Sequence, residues 1–271
     1  MDIVEVAGEE LDPREAAVYQ RALDALSRAG VPTLVGGAYA FASYTGIVRH
    51  TKDFDLFLRR SDVDAALRVL EEAGARGERS FPHWLAKAHF ADGLFVDLIY
   101  SSGNGVAIVD DLWFQHAMDA EVLSRAVRLC PAEEILWSKA FVQERERYDG
   151  ADVLHLLRAR AAHLDWDRLL RRFGEHWRVL LSYLVLFGFV YPGERGSIPG
   201  EVMDGLLRRL RAEGTPPSGQ EAVCGGTLLS RLQYLTDLRR FGYRDARPVD
   251  ADDLAPWTAA AEREEAERSG G

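Results

Sequence analysis

Apolar and polar positions alternate between a helical period and a strand period along this chain, and the changes of period mark its elements. Residues 12–30 read as a helix. Asp12 is placed to cap it, Pro13 takes the first position and Glu15 the capping-box position. Ala17, Leu23, Ala25 and Leu26 then recur at three- and four-residue spacing up to Gly30. Val31–Val35 is a short apolar strand, and Ala38–Tyr44 a helix that opens at Gly36-Gly37. Asp53–Leu58 alternates with the strand period. Ser61 is expected to cap a helix ending near Gly74, with Val63, Ala66, Leu67 and Leu70 as its packing face. Leu85–Phe90 and Leu94–Tyr100 are predicted to pair antiparallel about an Asp92-Gly93 turn. Ser101–Gly105 reads as a flexible loop, Trp113–Ala120 as a short helix, and Ala126–Leu129 as a further strand.

From Cys130-Pro131 onward the period is helical. Glu133 and Glu134 fall in the first turn, where negative charge suits the positive helix end. Asp149-Gly150 is a candidate break in that run. Leu164–Phe173, His176–Tyr191, Val202–Leu210 and Leu228–Phe241 read as helices. His176–Tyr191 is nearly all apolar, which predicts burial. The stretch GTPPSG at 214–219 reads as a turn, and the polar tail from Trp257 is expected to fray. The domain boundary is placed between residues 130 and 131, with a mostly helical domain over 131–271.

Composition narrows the function classes. A chain of 271 residues has room for one large domain or two modest ones. A net charge of -10 argues against a surface that coats nucleic acid. Cys130 and Cys224 stand far apart, with no disulfide framework or zinc spacing, which fits a reducing cytoplasm. The acidic N-terminus lacks the pattern of a signal peptide, and Val179–Tyr191 is too short for a membrane span of ~20 residues.

The chemistry concentrates between Leu34 and Leu58. On an extended strand Asp53 and Asp55 project together, while Phe54 and Leu56 face the other way. Two adjacent carboxylates repel unless a cation lies between them, and an all-oxygen pair favours Mg2+ or Mn2+. Gly36 and Gly37 allow close backbone approach, and the helix behind them turns free N–H groups toward an anion. Asp97, in the apolar strand GLFVDLIY, supplies a third carboxylate. Arg49 either binds a phosphate or braces Asp53 or Asp55. Tyr39 and Tyr44 read as core aromatics in preference to base-stacking ones. His83 and His89 lack a third spaced ligand and read as ordinary structural residues, and His50 as a surface loop residue.

The pattern Gly36-Gly37, then Arg49-x-Thr51-x-Asp53-Phe54-Asp55-Leu56, then a strand bearing Asp97, resembles the nucleotidyltransferase superfamily with its DNA polymerase β-like fold. Within it the pattern looks closest to the branch of AbiEii-type toxins and uncharacterised bacterial nucleotidyltransferases. Many members carry Gly-Ser where this chain has Gly36-Gly37, so a serine hydroxyl is missing while the backbone donors remain. The resemblance implies an α+β fold: a small mixed/antiparallel sheet with flanking helices over residues 1–130, then the helical C-terminal domain. It implies metal held by Asp53, Asp55 and Asp97, triphosphate contacts from Gly36 and Gly37, and importance for Arg49 and Thr51. Glu133-x5-Lys139 followed by Arg147-x-Asp149-x-x-Asp152 is similar to the next motif of that branch. By that match Lys139 contacts phosphate, with Asp149 and Asp152 as weaker candidates; periodicity alone reads the same run as a solvated helix face. The implied reaction is metal-dependent transfer of a nucleotide from a nucleoside triphosphate such as ATP to an acceptor hydroxyl. The acceptor is a tRNA end, a small molecule or a protein, and the toxin branch adds a toxin–antitoxin setting with a partner protein. The rivals are a non-catalytic nucleotide- or partner-binding scaffold and a metal-dependent phosphohydrolase. The doublets Arg171-Arg172, Arg208-Arg209 and Arg239-Arg240 read as helix-ending charges in preference to an RNA-facing patch.

Overall fold

A computed structural model of the chain describes residues 12–49, 51, 53–214 and 222–269. The acidic N-terminal stretch, His50, Lys52, most of the 214–219 turn and the last two glycines lie outside the described residues.

Helix α1 (Pro13–Arg28) forms where its start signals stand, with Asp12 Oδ1 accepting the Arg14 N–H at 2.8 Å. Its buried face is Tyr19, Ala22, Leu23, Ala25 and Leu26. Strand β1 (Leu34–Val35) is shorter than its apolar run, and helix α2 (Gly37–Thr45) follows at once. Strand β2 (Phe54–Phe57) buries Phe54 and Leu56 completely. Ser61 does not cap helix α3 (Val63–Glu72). A 3-10 turn over Arg60–Asp62 comes first, and the Ser61 hydroxyl donates to Asp62 Oδ1 at 3.2 Å. Val63, Ala66 and Leu70 of α3 are fully buried, and leaving water contributes about 1.5–3 kcal/mol for each of Val63 and Leu70 and less for the single methyl of Ala66.

Strand β3 (Arg76–Phe81) was not legible as a strand: it is charged and lies at the sheet edge, where an apolar alternation is not required. Strands β4 (Leu85–His89) and β5 (Phe95–Ile99) form the expected antiparallel pair. The loop after them is held by its own side chains, with Asn104 Oδ1 accepting from the Ser102 hydroxyl at 2.6 Å and the Val106 N–H at 3.1 Å. Helix α4 (Asp111–Gln115) is shorter than the predicted Trp113–Ala120. Met118–Ala120 instead starts strand β6 (Met118–Val122), because pairing with β7 (Arg125–Leu129) claims that backbone. The β6–β7 turn places Leu123 and Ser124 at φ 51° and 55°.

These strands make one sheet in the order β3-β4-β5-β2-β1-β7-β6. The β2–β5 and β1–β7 pairs are parallel and the others antiparallel, so the sheet is mixed. Together with Val249–Trp257, residues up to Pro131 form one of the chain's two compact units.

The second unit, Ala132–Pro248 with the chain from Thr258, is mostly helical. It holds α5 (Ala132–Ala140), α6 (Gly150–Arg160), α7 (Trp166–Phe173), α8 (Trp177–Val190), α9 (Gly200–Ala212) and α10 (Leu235–Phe241), with the short pair β8 (Val223–Cys224) and β9 (Arg244–Asp245). The charged run between α5 and α6 is not a helix face: Gln143 and Tyr148 bridge antiparallel across a tight turn. Helix α8 is buried only on the side of Leu180, Leu181, Tyr183, Leu184 and Phe187; Val185, Phe189 and Val190 are exposed. The predicted helix Leu228–Phe241 starts only at Leu235, and Arg231 before it pairs with Glu144 at 2.8 Å. The tail continues as helix α11 (Ala251–Ser269), so the expected fraying is not found up to Ser269. Among the described residues no helix is long and apolar enough to cross a membrane.

Candidate functional site

The site is assembled from a row of residues across four strands. Asp55 on β2 and Asp97 on β5 are register partners in the parallel pair, so their side chains leave the same face of the sheet. Lys87 on β4 is the antiparallel partner of Asp97. On the other side, Gly36 follows β1 directly and donates its N–H to the Asp55 carbonyl at 3.0 Å. Sequence alone did not place Asp97 beside Asp55; the pairing of β2 with β5 does.

Asp53 stands one residue before β2 and is exposed. Thr51 fixes the backbone there: its hydroxyl oxygen accepts the Asp53 N–H at 3.2 Å, and its hydroxyl donates to the Asp53 carbonyl at 3.3 Å. Thr51 therefore shapes the approach to the strand. Arg49 is exposed and its guanidinium lies 5.0 Å from the centroid of the Phe41 ring, a cation–π contact that ties it to α2.

Gly36 and Gly37 are required by their surroundings. A Cβ on Gly36 would come within 2.5 Å of Phe57 Cδ2. Gly37 has φ +52°, and a Cβ there would lie 2.7 Å from Asp55 Cγ and closer still to Oδ2. The missing side chain of Gly37 is thus the space that the Asp55 carboxylate occupies at the start of α2. Gly36 is the N-cap of that helix, whose first-turn N–H groups lack intrahelical acceptors. Behind the site Tyr19 stacks on Phe54 at 4.7 Å and Tyr39 meets the same ring edge-on at 5.2 Å. Both phenols are core groups: burial pushes Tyr39 up to about 12, and Tyr19 is raised by burial and by Glu15, Tyr39, Asp53 and Asp55. Tyr44 is likewise buried and donates its hydroxyl to the Cys130 carbonyl at 2.9 Å.

Asp97 is the most enclosed of the three carboxylates. Burial raises its pKa, the nearby Asp53 charge adds to this, and the Lys87 ammonium, 2.6 Å from Oδ1, opposes it. Lys87 is the residue that the sequence reading passed over. A signal was present in the hairpin, but it turned on one residue. A two-residue Asp92-Gly93 turn sets Lys87 opposite Leu98, whereas the observed turn over Ala91–Gly93 moves it to face Asp97.

The oxygen-only donor set of Asp53, Asp55 and Asp97 fits a hard divalent cation, and the Gly37 gap leaves Asp55 room beside the backbone. Among the described residues no three His, Cys, Asp or Glu side chains already converge as a cluster able to hold a metal. His83 and His89 are engaged elsewhere, within 2.9 Å of the Gly103 carbonyl and 3.0 Å of Glu78.

In the second unit Lys139 is held by two carboxylates, with Nζ 2.9 Å from Asp149 and 2.8 Å from Asp152. Burial works to raise Asp149, but Lys139 and Arg147 outweigh it and hold the carboxyl below its ordinary value. The sequence motif is therefore a real spatial cluster within that unit.

Residues 14–186 match the model of a family described as "Uncharacterised nucleotidyltransferase". A comparison with curated proteins finds no relative that matches. Among solved structures the chain is similar to an antigenic nucleotidyltransferase-like protein from Paracoccidioides brasiliensis, at 16% identity and TM-score 0.46, covering 71% of this chain and 98% of that one. It is also similar to the lincosamide antibiotic adenylyltransferase LnuA with lincomycin bound, at 15% identity and TM-score 0.39, covering 55% of this chain and 98% of that one. A third is ANT(2")-Ia in complex with adenylyl-2"-tobramycin, at 18% identity and TM-score 0.37, covering 66% and 99%. Likeness at this level extends to no substrate.

Proposed function

The chain belongs to the uncharacterised nucleotidyltransferase family, and from that premise we propose that it transfers a nucleoside monophosphate from a triphosphate to an acceptor hydroxyl in a metal-dependent reaction run by Asp53, Asp55 and Asp97. The observation that carries this reading is the register of Asp55 with Asp97 on adjacent parallel strands, beside a glycine whose missing Cβ makes room for the Asp55 carboxylate.

Asp53 and Asp55 would hold Mg2+ or Mn2+, with Asp97 as third ligand. The bound cation would supply charge neutralisation at the phosphates. Asp97, whose burial raises its proton affinity, would take the proton of the acceptor hydroxyl as its oxygen attacks the α-phosphorus. The bond to pyrophosphate breaks in the same displacement. The N–H groups of Gly37 and the start of α2 would receive phosphate oxygens, while Gly36, whose N–H is taken by the Asp55 carbonyl, would keep the backbone close to them. Thr51 would keep Asp53 in register, and Arg49 would offer a guanidinium to phosphate. Lys139 keeps, as a proposal, the phosphate-contact role that its motif implies. The division into a catalytic core over residues 1–130 and a helical domain over 131–271 belongs to the same proposal.

The net charge of -10 favours a small-molecule or protein hydroxyl over an RNA end, and one member of each arginine doublet makes a contact within the second unit. Arg172 pairs with Glu134 at 3.1 Å, Arg209 donates to the Gly174 carbonyl at 3.2 Å, and Arg239 pairs with Glu262 at 3.0 Å. The ammonium already on Asp97 favours one rival, a scaffold that binds nucleotide without catalysis. Isothermal titration with non-hydrolysable ATP, GTP, CTP and UTP analogues, with and without Mg2+, separates the two. Metal-dependent binding that Asp53→Ala abolishes is expected. Binding that neither Mg2+ nor Asp53 affects would favour the scaffold.

A further inference from the structure

We propose that Lys87 is a positioning residue, the resident counter-cation of the acidic row, which anchors Asp97 through one oxygen and whose charge weakens that row's affinity for a divalent metal. The inference rests on the metal-site reading given above for Asp53, Asp55 and Asp97.

Three observations place Lys87 in this role. It faces Asp97 directly across the β4–β5 pair, so a rigid strand sets its position. Its Nζ donates to Asp97 Oδ1 at 2.6 Å and lies 4.1 Å from the centroid of the Phe95 ring, which fixes the ammonium from a second side. The two side chains are only 23% and 13% exposed, so water screens their charges poorly. The row thus reads Lys87, Asp97, Asp55, with Asp53 two residues from Asp55 and close enough to Asp97 to raise its proton affinity. Carboxylates lined up in this way repel one another, and the ammonium offsets that repulsion before any metal arrives. A divalent cation entering the row then meets a fixed positive charge on the far side of Asp97. Coulomb repulsion of that kind, in a partly buried place, amounts to at least about tenfold in affinity.

The two ways in which Lys87 might act on metal binding have opposite signs. If Lys87 only kept Asp97 in place structurally, removing it would loosen metal binding. If its charge opposes the metal, removing it tightens binding. The test is Mn2+ titration of the full chain at pH 8, read by electron paramagnetic resonance, for the wild type and for Lys87→Met, Lys87→Arg and Asp53→Ala. Circular dichroism melts verify folding, and Lys87→Gln replaces Lys87→Met if the latter does not fold. The expected result is Mn2+ bound about tenfold tighter by Lys87→Met or Lys87→Gln and within about threefold of wild type by Lys87→Arg. Unchanged or weaker binding by the neutral variants, beside a wild type whose Mn2+ binding Asp53→Ala removes, overturns the role of Lys87 and leaves the metal site standing. A wild type that binds no Mn2+, or binds it independently of Asp53, overturns the metal-site reading itself.

Discussion

Replacing Gly37 by alanine tests the contact on which the site depends. Two separate costs are expected. The first is backbone strain: φ is +52°, and a non-glycine residue in the left-handed region costs about 1–2 kcal/mol. The second is steric. The new Cβ would fall 2.7 Å from Asp55 Cγ, so the carboxylate would have to leave its place at the start of α2. Forcing an added carbon into a filled space costs a further about 1–3 kcal/mol. Gly46 supplies the internal control. It caps the other end of the same helix at φ +70° with nothing within 4 Å of an added Cβ, so Gly46→Ala should show the strain alone. Urea unfolding is expected to rank Gly37→Ala below Gly46→Ala by that steric difference. The double variant Gly37→Ala/Asp55→Ala should recover most of it, since the two sites couple through one contact. Mn2+ binding should weaken in Gly37→Ala and stay at wild-type level in Gly46→Ala. A Gly37→Ala chain no less stable than Gly46→Ala, or a double variant with no recovery, would refute the reasoning.

Three further expectations follow from particular contacts. Glu134→Ala should cost about 1–3 kcal/mol in chemical unfolding, because it takes from the enclosed guanidiniums of Arg168 and Arg172 the carboxylate that joins them at 2.6 and 3.1 Å, while Arg168 keeps Glu133 at 2.6 Å; a loss below about 0.5 kcal/mol would refute the bridging role. On helix α8, Phe187→Ala should destabilise by about 3–5 kcal/mol and Phe189→Ala by less than about 0.5 kcal/mol, since the first is fully buried and the second 79% exposed. For pH, Asp149 is depressed below its ordinary 3.8 in the folded chain, so the stability it contributes through Lys139 and Arg147 is complete above that value and is lost as pH falls through the lower folded value. Without Lys139, burial acts on Asp149 opposed only by Arg147, so the stability gap between wild type and Lys139→Met should hold steady at neutral pH and shrink on acidification, as the variant's Asp149 is protonated first and the wild type's later; a gap that closes between pH 6 and 8 would point to a different group.

The sequence by itself determined what depends on near neighbours in the chain. The Asp12 cap, the Gly36-Gly37 entry to α2, the alternation that buries Phe54 and Leu56, and the β4–β5 hairpin all follow from residues a few positions apart. Such features rest on backbone geometry and strand alternation, which a linear pattern carries. The edge strand β3 escaped because a charged edge carries no apolar alternation, and the exposed side of α8 escaped because composition cannot tell a two-sided apolar helix from a wholly buried one. The candidate site itself depended on the tertiary structure. Pairing of β2 with β5 joins residues some forty positions apart, and only that pairing sets Asp97 beside Asp55. A single residue of hairpin register then decides whether Lys87 meets Asp97 or Leu98, because strand faces alternate and a one-residue shift exchanges every partner. The arginines of the second unit show the same division: their charge was plain from the chain, but their carboxylate partners at Glu134, Glu144 and Glu262 lie far away in sequence and are found only through packing.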